Sequence, residues 1–202
     1  MHLFNVITSC AVLSTASAAV IPRIVSIFDP NAAIGTLPQI IPTADTIIAD
    51  LTSLDKAITN LTDVLQSSSG GIVKSISDIS SVISHTISIQ SANRQGMLDV
   101  QELDTVFSAS DSSSIINKLK DDVLPHAQTA LNYLGQAKSD GLLNSLASKF
   151  AVLPYLNVLS GEFDAFSSGL LKYIDSGSQA DAKSVLDSIK SSLASTISTY
   201  SG

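Results

Sequence analysis

Asp122 and His126 stand four residues apart, a spacing that puts a carboxylate and an imidazole on one helix face. Such a pair is half of a metal site. Two groups do not make a site, however, and no second histidine lies near them in the sequence. A plain surface pair is the better reading. His85 sits opposite the apolar stripe of its own segment and is read as facing solvent. Ser53-Leu54-Asp55-Lys56 matches S-x-x-K, but neither S-D-N nor K-T-G accompanies it, and no G-x-S-x-G is present. In a chain this rich in serine, a chance match is the default. Asp99, Glu102 and Asp104 form an acidic patch. Clustered carboxylates do acid–base work or hold calcium, but the spacing fits no calcium loop, and a solvated acidic face fits better. These residues predict no catalytic group, no metal and no cofactor, and hence a protein that is not an enzyme. Asn60-Leu61-Thr62 is a glycosylation sequon. Asn60 lies beside the apolar seam of its segment, so a glycan there would not disturb packing, and the Ser/Thr-rich exterior suits O-linked sugar as well.

Composition narrows the classes further. The chain has 202 residues, of which only 14% are charged, against roughly 25% in an ordinary soluble domain. Hydrophobic residues make up 45%, without tryptophan, so the apolar mass is mainly aliphatic and a packed core is expected. The net charge is −7 and the pI about 4.6. No basic surface is available to replace phosphate counterions, which excludes nucleic acid as a partner, and docking on anionic lipid is disfavoured for the same reason. Residues 1–18 carry an apolar run from Leu3 to Leu13 and the small-x-small sequence Ala16-Ser17-Ala18, the pattern of a secretory signal peptide. Cys10, the only cysteine, falls inside it. The processed protein is therefore expected to be extracellular, without disulfides and held by its core. Beyond the leader no run of about 18 apolar residues occurs, so no transmembrane anchor is expected. The C-terminus lacks the hydrophobic tail of a lipid-anchor signal.

The elements follow from periodicity. Ile47, Leu51, Leu54, Ile58, Leu61 and Leu65 recur at four-three spacing after Pro42, a seam for helices crossing at shallow angles. Thr43 is placed to cap that helix. Residues 71–93 are rich in β-branched side chains, yet Ile72, Val73, Ile76, Ile79, Ile83 and Ile87 fall within roughly 120° of a helical wheel. A strand would need one parity, which they do not keep. Ile116, Leu119, Val123, Ala127, Ala130, Leu134 and Ala137 share a third face. Val152, Leu156, Leu159, Phe163, Phe166, Leu170 and Ile174 share a fourth; Ala182, Leu186, Ile189, Leu193, Ile197 and Tyr200 share a fifth. Residues 97–107 and 142–150 suggest two further short helices. The prediction is all-α: one antiparallel bundle of about five long amphipathic helices over 42–202, preceded by an extended arm over 19–41. Pro125 and Pro154 fall inside helical patterns and predict kinks or helix starts. The alanines at 127, 130 and 137 allow close approach of a neighbour or leave room inside.

A leader, then Ser/Thr/Ala/Leu/Ile helices without tryptophan, resembles the fungal hydrophobic surface-binding protein A and cell-wall galactomannoprotein family. The stretches carrying the likeness are "TADTIIADLTSLDKAITNL" at 43–61, "DDVLPHAQTALNYLGQAK" at 121–138 and "SVLDSIKSSLASTISTY" at 184–200. The resemblance implies an all-helical secreted domain that binds hydrophobic surfaces or holds fatty-acid chains between helices, and recruitment of secreted hydrolases to hydrophobic polymers. It fixes no individual residue. The candidate ligand contacts are stripe positions that also belong to the expected core: Ile76, Ile79, Ile83, Leu119, Val123, Leu156, Phe163, Phe166 and Leu170. The second reading is a structural cell-wall mannoprotein, in which glycans matter more than the interior.

Overall fold

A computed structural model describes residues 41–69, 76–139 and 146–201, without the side chains of residues 68, 69, 76–79, 137–139 and 146–151. The expected leader (1–18), all of the expected arm except Ile41, residues 142–145, and the side chains of Ile76, Ile79 and Ala137 lie outside that description. Residues from Ile41 onward form one compact unit. All regular structure among the described residues is helical.

Helix α1 spans Ala44–Ser69. Its start is fixed by a reciprocal cap: the Thr46 N–H donates to the Thr43 hydroxyl (3.4 Å) and the Thr43 N–H to the Thr46 hydroxyl (3.2 Å). This satisfies two amides that a helix end would leave open. The six seam residues from Ile47 to Leu65 are all buried. Helix α2 spans Ile76–Gln101, then a seven-residue connection leads to α3, Ala109–Asn117. Ser108 caps α3, its hydroxyl accepting from the Asp111 N–H at 3.1 Å. A π-helical turn, Lys118–Val123, joins α3 to α4, Leu124–Ser139. Helix α5 is Leu146–Leu170 and α6 is Gln179–Ser201.

The prolines behave differently. In α5 the helix runs through Pro154 unbroken, so Pro154 does not start a helix. At Pro125 the ladder widens just upstream, where the Leu124 N–H donates to the Leu119 carbonyl five residues back. A proline ring collides with the carbonyl four residues back, here Asp121. The extra residue in the turn relieves that collision, a common role for a π-bulge. The expected short helix over 97–107 does not appear as such, and of that over 142–150 only residues 146–150 are described. Met97 and Val100 belong to α2, and residues 146–150 open α5. Gly96 does not end α2, because there a Cβ would lie 3.4 Å from the Phe166 ring: the glycine serves a close crossing, not a stop.

Packing makes a ring. Helix α1 packs on α2, α2 on α5, α5 on α6, α6 on α4, and α4 on α1. With α3, the π turn and α4 taken as one continuous rod, successive helices reverse direction, as Asp50 near the start of α1 facing Gly96 near the end of α2 illustrates. Neighbours in the ring that are not consecutive run parallel. Arg94, Gly96 and Val100 of α2 meet Glu162, Phe166 and Gly169 of α5 in the same order. Asp55 and Gln66 of α1 meet His126 and Tyr133 of α4 likewise. One end is tied crosswise, with the Phe107 N–H donating to the Tyr173 carbonyl (2.8 Å) and the Asp175 N–H to the buried Ser112 hydroxyl (2.9 Å). Toward the other end, fully buried Tyr200 of α6 donates its phenol proton to the Leu134 carbonyl of α4 at 3.0 Å. Burial pushes that phenol's pKa above its ordinary value.

The surface resolves how so much serine lies on helices. Hydroxyls donate to the carbonyl four residues earlier: Thr52 to Ile48 (2.8 Å), Ser53 to Ala49 (3.0 Å), Ser88 to Ser84 (3.1 Å), Ser114 to Ser110 (3.1 Å) and Ser188 to Ser184 (2.8 Å). The proton bonds the helix itself, as serine and threonine in mid-helix commonly arrange.

Candidate functional site

The ring geometry decides what its axis holds. Five helices spaced about 9–10 Å apart place the axis about 8 Å from each, beyond the roughly 5–6 Å radius of a helix with its side chains. Long side chains fill such a centre, and short ones leave it open. Here α4 turns Ala127 and Ala130 inward, both buried, and the centre contains an apolar cavity of about 60 Å³. Of the two readings of the alanine spacing, close approach or room inside, Ala127 and Ala130 line the room. Leu54, Ile58 and Leu61 of α1 line it, with Leu131 and Leu134 of α4 and Val123 of the π turn. Leu156, Leu159 and Phe163 of α5 and Ile189 and Leu193 of α6 complete the apolar wall.

Helix α2 contributes the only polar groups to this lining, and here the expected face is wrong. Ile83 and Ile87 are only half-buried. The residues turned to the core are Val82, Thr86, Ile89, Asn93, Gly96 and Val100, at four-three-four-three-four spacing. The isoleucines outranked them in hydrophobicity, so the stripe was set about one residue out of register. The spacing itself was the missed signal, because it tolerates threonine, asparagine and glycine where the interior is not filled. The Thr86 hydroxyl is satisfied by donating to the Val82 carbonyl at 2.8 Å. The Asn93 amide is not: Asn93 is 3% exposed and its Nδ2 has no protein partner. A buried donor left unpaired costs about 1–3 kcal/mol.

Of the expected contacts, Val123, Leu156 and Phe163 line the cavity. Leu119, Phe166 and Leu170 are buried in the surrounding core, with Phe166 tilted against Phe163 at 5.9 Å between ring centres. Ile83 lies outside the lining. Asn60 is exposed; Thr62 of its sequon is buried, its hydroxyl donating to the Ile58 carbonyl at 3.1 Å. His126 does not pair with Asp122. Its Nδ1 lies 2.6 Å from Asp55 Oδ1 on α1, while Asp122 takes Lys118 at 2.8 Å. Helix α4 crosses α1 at that point, and a partner across the crossing outcompetes the one a turn away. His85 is half-buried, not fully exposed. Among the described residues no group of three metal-ligating side chains occurs, and no helix is long and apolar enough to cross a membrane.

Residues 44–172 match the family model for hydrophobic surface binding protein A. No curated protein matches the chain. Solved structures share its fold, among them the following. AfMP4p in complex with palmitic acid is 23% identical, with a TM-score of 0.69, covering 78% of this chain and 99% of that one. Ligand binding domain 1 of Penicillium marneffei MP1 protein, complexed with arachidonic acids, is 15% identical, with a TM-score of 0.68 and the same coverage. Ligand binding domain 2 of that protein, complexed with multiple arachidonic acids, is 12% identical, with a TM-score of 0.68, covering 81% of this chain and 99% of that one.

Proposed function

Since the chain belongs to the hydrophobic surface binding protein A family, we propose that it is a secreted, non-enzymatic carrier that takes a fatty-acid chain into the centre of its helix ring. The observation that carries this reading is the cavity, walled by aliphatic and phenylalanine side chains and bounded by five helices. Its 60 Å³ is well below the roughly 300–1,000 Å³ of ordinary ligand pockets. Binding therefore parts the helices, and the chain replaces helix–helix apolar contact with helix–lipid contact. Val123, Leu156 and Phe163 are the first contacts; Leu119, Phe166 and Leu170 join as the ring opens. The solved complexes of the same fold with palmitic and arachidonic acids support the ligand class. On an apolar solid the opened ring adsorbs by the same faces and serves to bring secreted hydrolases to it.

The deciding experiment is titration of delipidated protein with a fluorescent fatty acid, in parallel with adsorption to an apolar solid. Saturable uptake is expected; uptake of neither overturns the reading. Exposed Asn60 favours a second one, a wall mannoprotein whose glycans dominate. Glycan mass with tight wall retention and no lipid uptake would select it.

A further inference from the structure

We infer that Asn93 is the anchor for the ligand's head: its side-chain amide donates a hydrogen bond to an uncharged carbonyl oxygen of a single-chain lipid that enters the ring head-first. The inference deepens, and rests on, the lipid-binding reading above. Asn93 lies on the core seam of α2 between Ile89 and Gly96, lines the cavity, and has an unpartnered Nδ2. A purely hydrocarbon ligand would leave that donor unpaired, and leucine would serve packing better. Thr86, the other polar wall residue, has its proton engaged by Val82. Asn93 is thus the one lining residue with an unengaged hydrogen-bond donor, and a few placed polar groups are what fix a ligand's orientation in such pockets.

The same surroundings select the charge of the head. None of the residues that line the cavity, from α1, α2, the π turn, α4, α5 and α6, is ionisable. The charged groups nearest in the chain pair outside the lining, Arg94 with Glu162 and Asp55 with His126. A carboxylate ion beside one neutral donor would be desolvated without a counter-charge. An ester carbonyl or a protonated carboxyl meets the amide without that penalty. The two share the carbonyl acceptor and differ only in their response to pH.

The test is displacement of diphenylhexatriene from the delipidated full-length protein by methyl palmitate, hexadecane, and palmitic acid at pH 5 and pH 8. Methyl palmitate should compete about three- to tenfold better than hexadecane, the ratio one net hydrogen bond provides. Asn93→Leu should erase that ratio, keep hexadecane binding and raise the thermal midpoint; Asn93→Ala repeats the comparison without added bulk. An acid that matches the ester at pH 5 and weakens at pH 8 identifies a protonated head. An acid weaker than the ester at pH 5 and weaker still at pH 8 identifies an ester. Palmitic acid that binds as tightly at pH 8 as at pH 5 overturns the neutral head. A ratio unchanged in both variants overturns the anchor while lipid binding stands. Displacement by none of the three ligands overturns both.

Discussion

At the scale of single residues, the buried amide nitrogen of Asn93 has no partner among the described residues, whereas the hydroxyls of buried Thr62, Thr86, Ser112 and Tyr200 each have one. Tyr200 has its partner in the Leu134 carbonyl. Tyr200→Phe should cost about 1 kcal/mol by urea denaturation, the worth of an ordinary internal hydrogen bond. Its phenol also sets an alkaline limit. Burial raises the folded-state pKa above the unfolded value near 10. Above about pH 10 the unfolded chain has released a proton that the folded one keeps, so stability is intact below that pH and falls as pH rises. Denaturation midpoints measured from pH 8 to 11 should show the fall, and Tyr200→Phe should flatten it. His126 contrasts with Tyr200. It is half exposed and bonded to Asp55 across a crossing, so His126→Ala should cost no more than about 1 kcal/mol and leave lipid uptake unchanged. The sequence showed Asp122 beside His126 because it reveals neighbours one turn away. It is blind to a partner 71 residues away in the chain, and Asp55 was seen there merely as part of a chance S-x-x-K match.

At the scale of helices, glycine marks the α2–α5 crossing. A Cβ on Gly169 would lie 2.6 Å from Val100 Cγ1. Gly169→Ala should therefore force the crossing apart and destabilise by about 1–3 kcal/mol. A Cβ on Gly161 of α5 would meet nothing within 4 Å. Gly161→Ala should instead stabilise by up to about 1 kcal/mol, from helix propensity alone. Thermal melts of the two variants should move in opposite directions. Four of the five apolar faces were legible because their seams are filled with leucine, isoleucine, valine and phenylalanine. The face of α2 was not, because Thr86, Asn93 and Gly96 hold three of its six core positions, while isoleucines one residue away marked a more hydrophobic but wrong stripe. The π turn left a trace that was visible but unread: Leu119, Val123 and Ala127 follow one another at two successive spacings of four, one residue looser than a regular seam.

At the scale of the whole molecule, the cavity and its occupant compete for the same volume. Ala130→Leu places bulk in the cavity and should raise stability by about 1 kcal/mol while weakening fatty-acid uptake at least tenfold; paired melting and titration check both signs. Saturating fatty acid, at about a hundred times its dissociation constant, should stabilise the unaltered protein by about 2.7 kcal/mol, seen as a higher melting midpoint. The bundle and its class were readable from periodicity. Which helices are neighbours was not, since a ring in which α2 meets α5 and α4 meets α1 depends on contacts distant in the chain. The serine coat has a last effect of its own. Hydroxyls such as those of Thr52, Ser88 and Ser188 hold their protons against the backbone, so water grips the outside loosely. Pressed on wax, such a skin would shed little hydration as the proposed ring opened onto it.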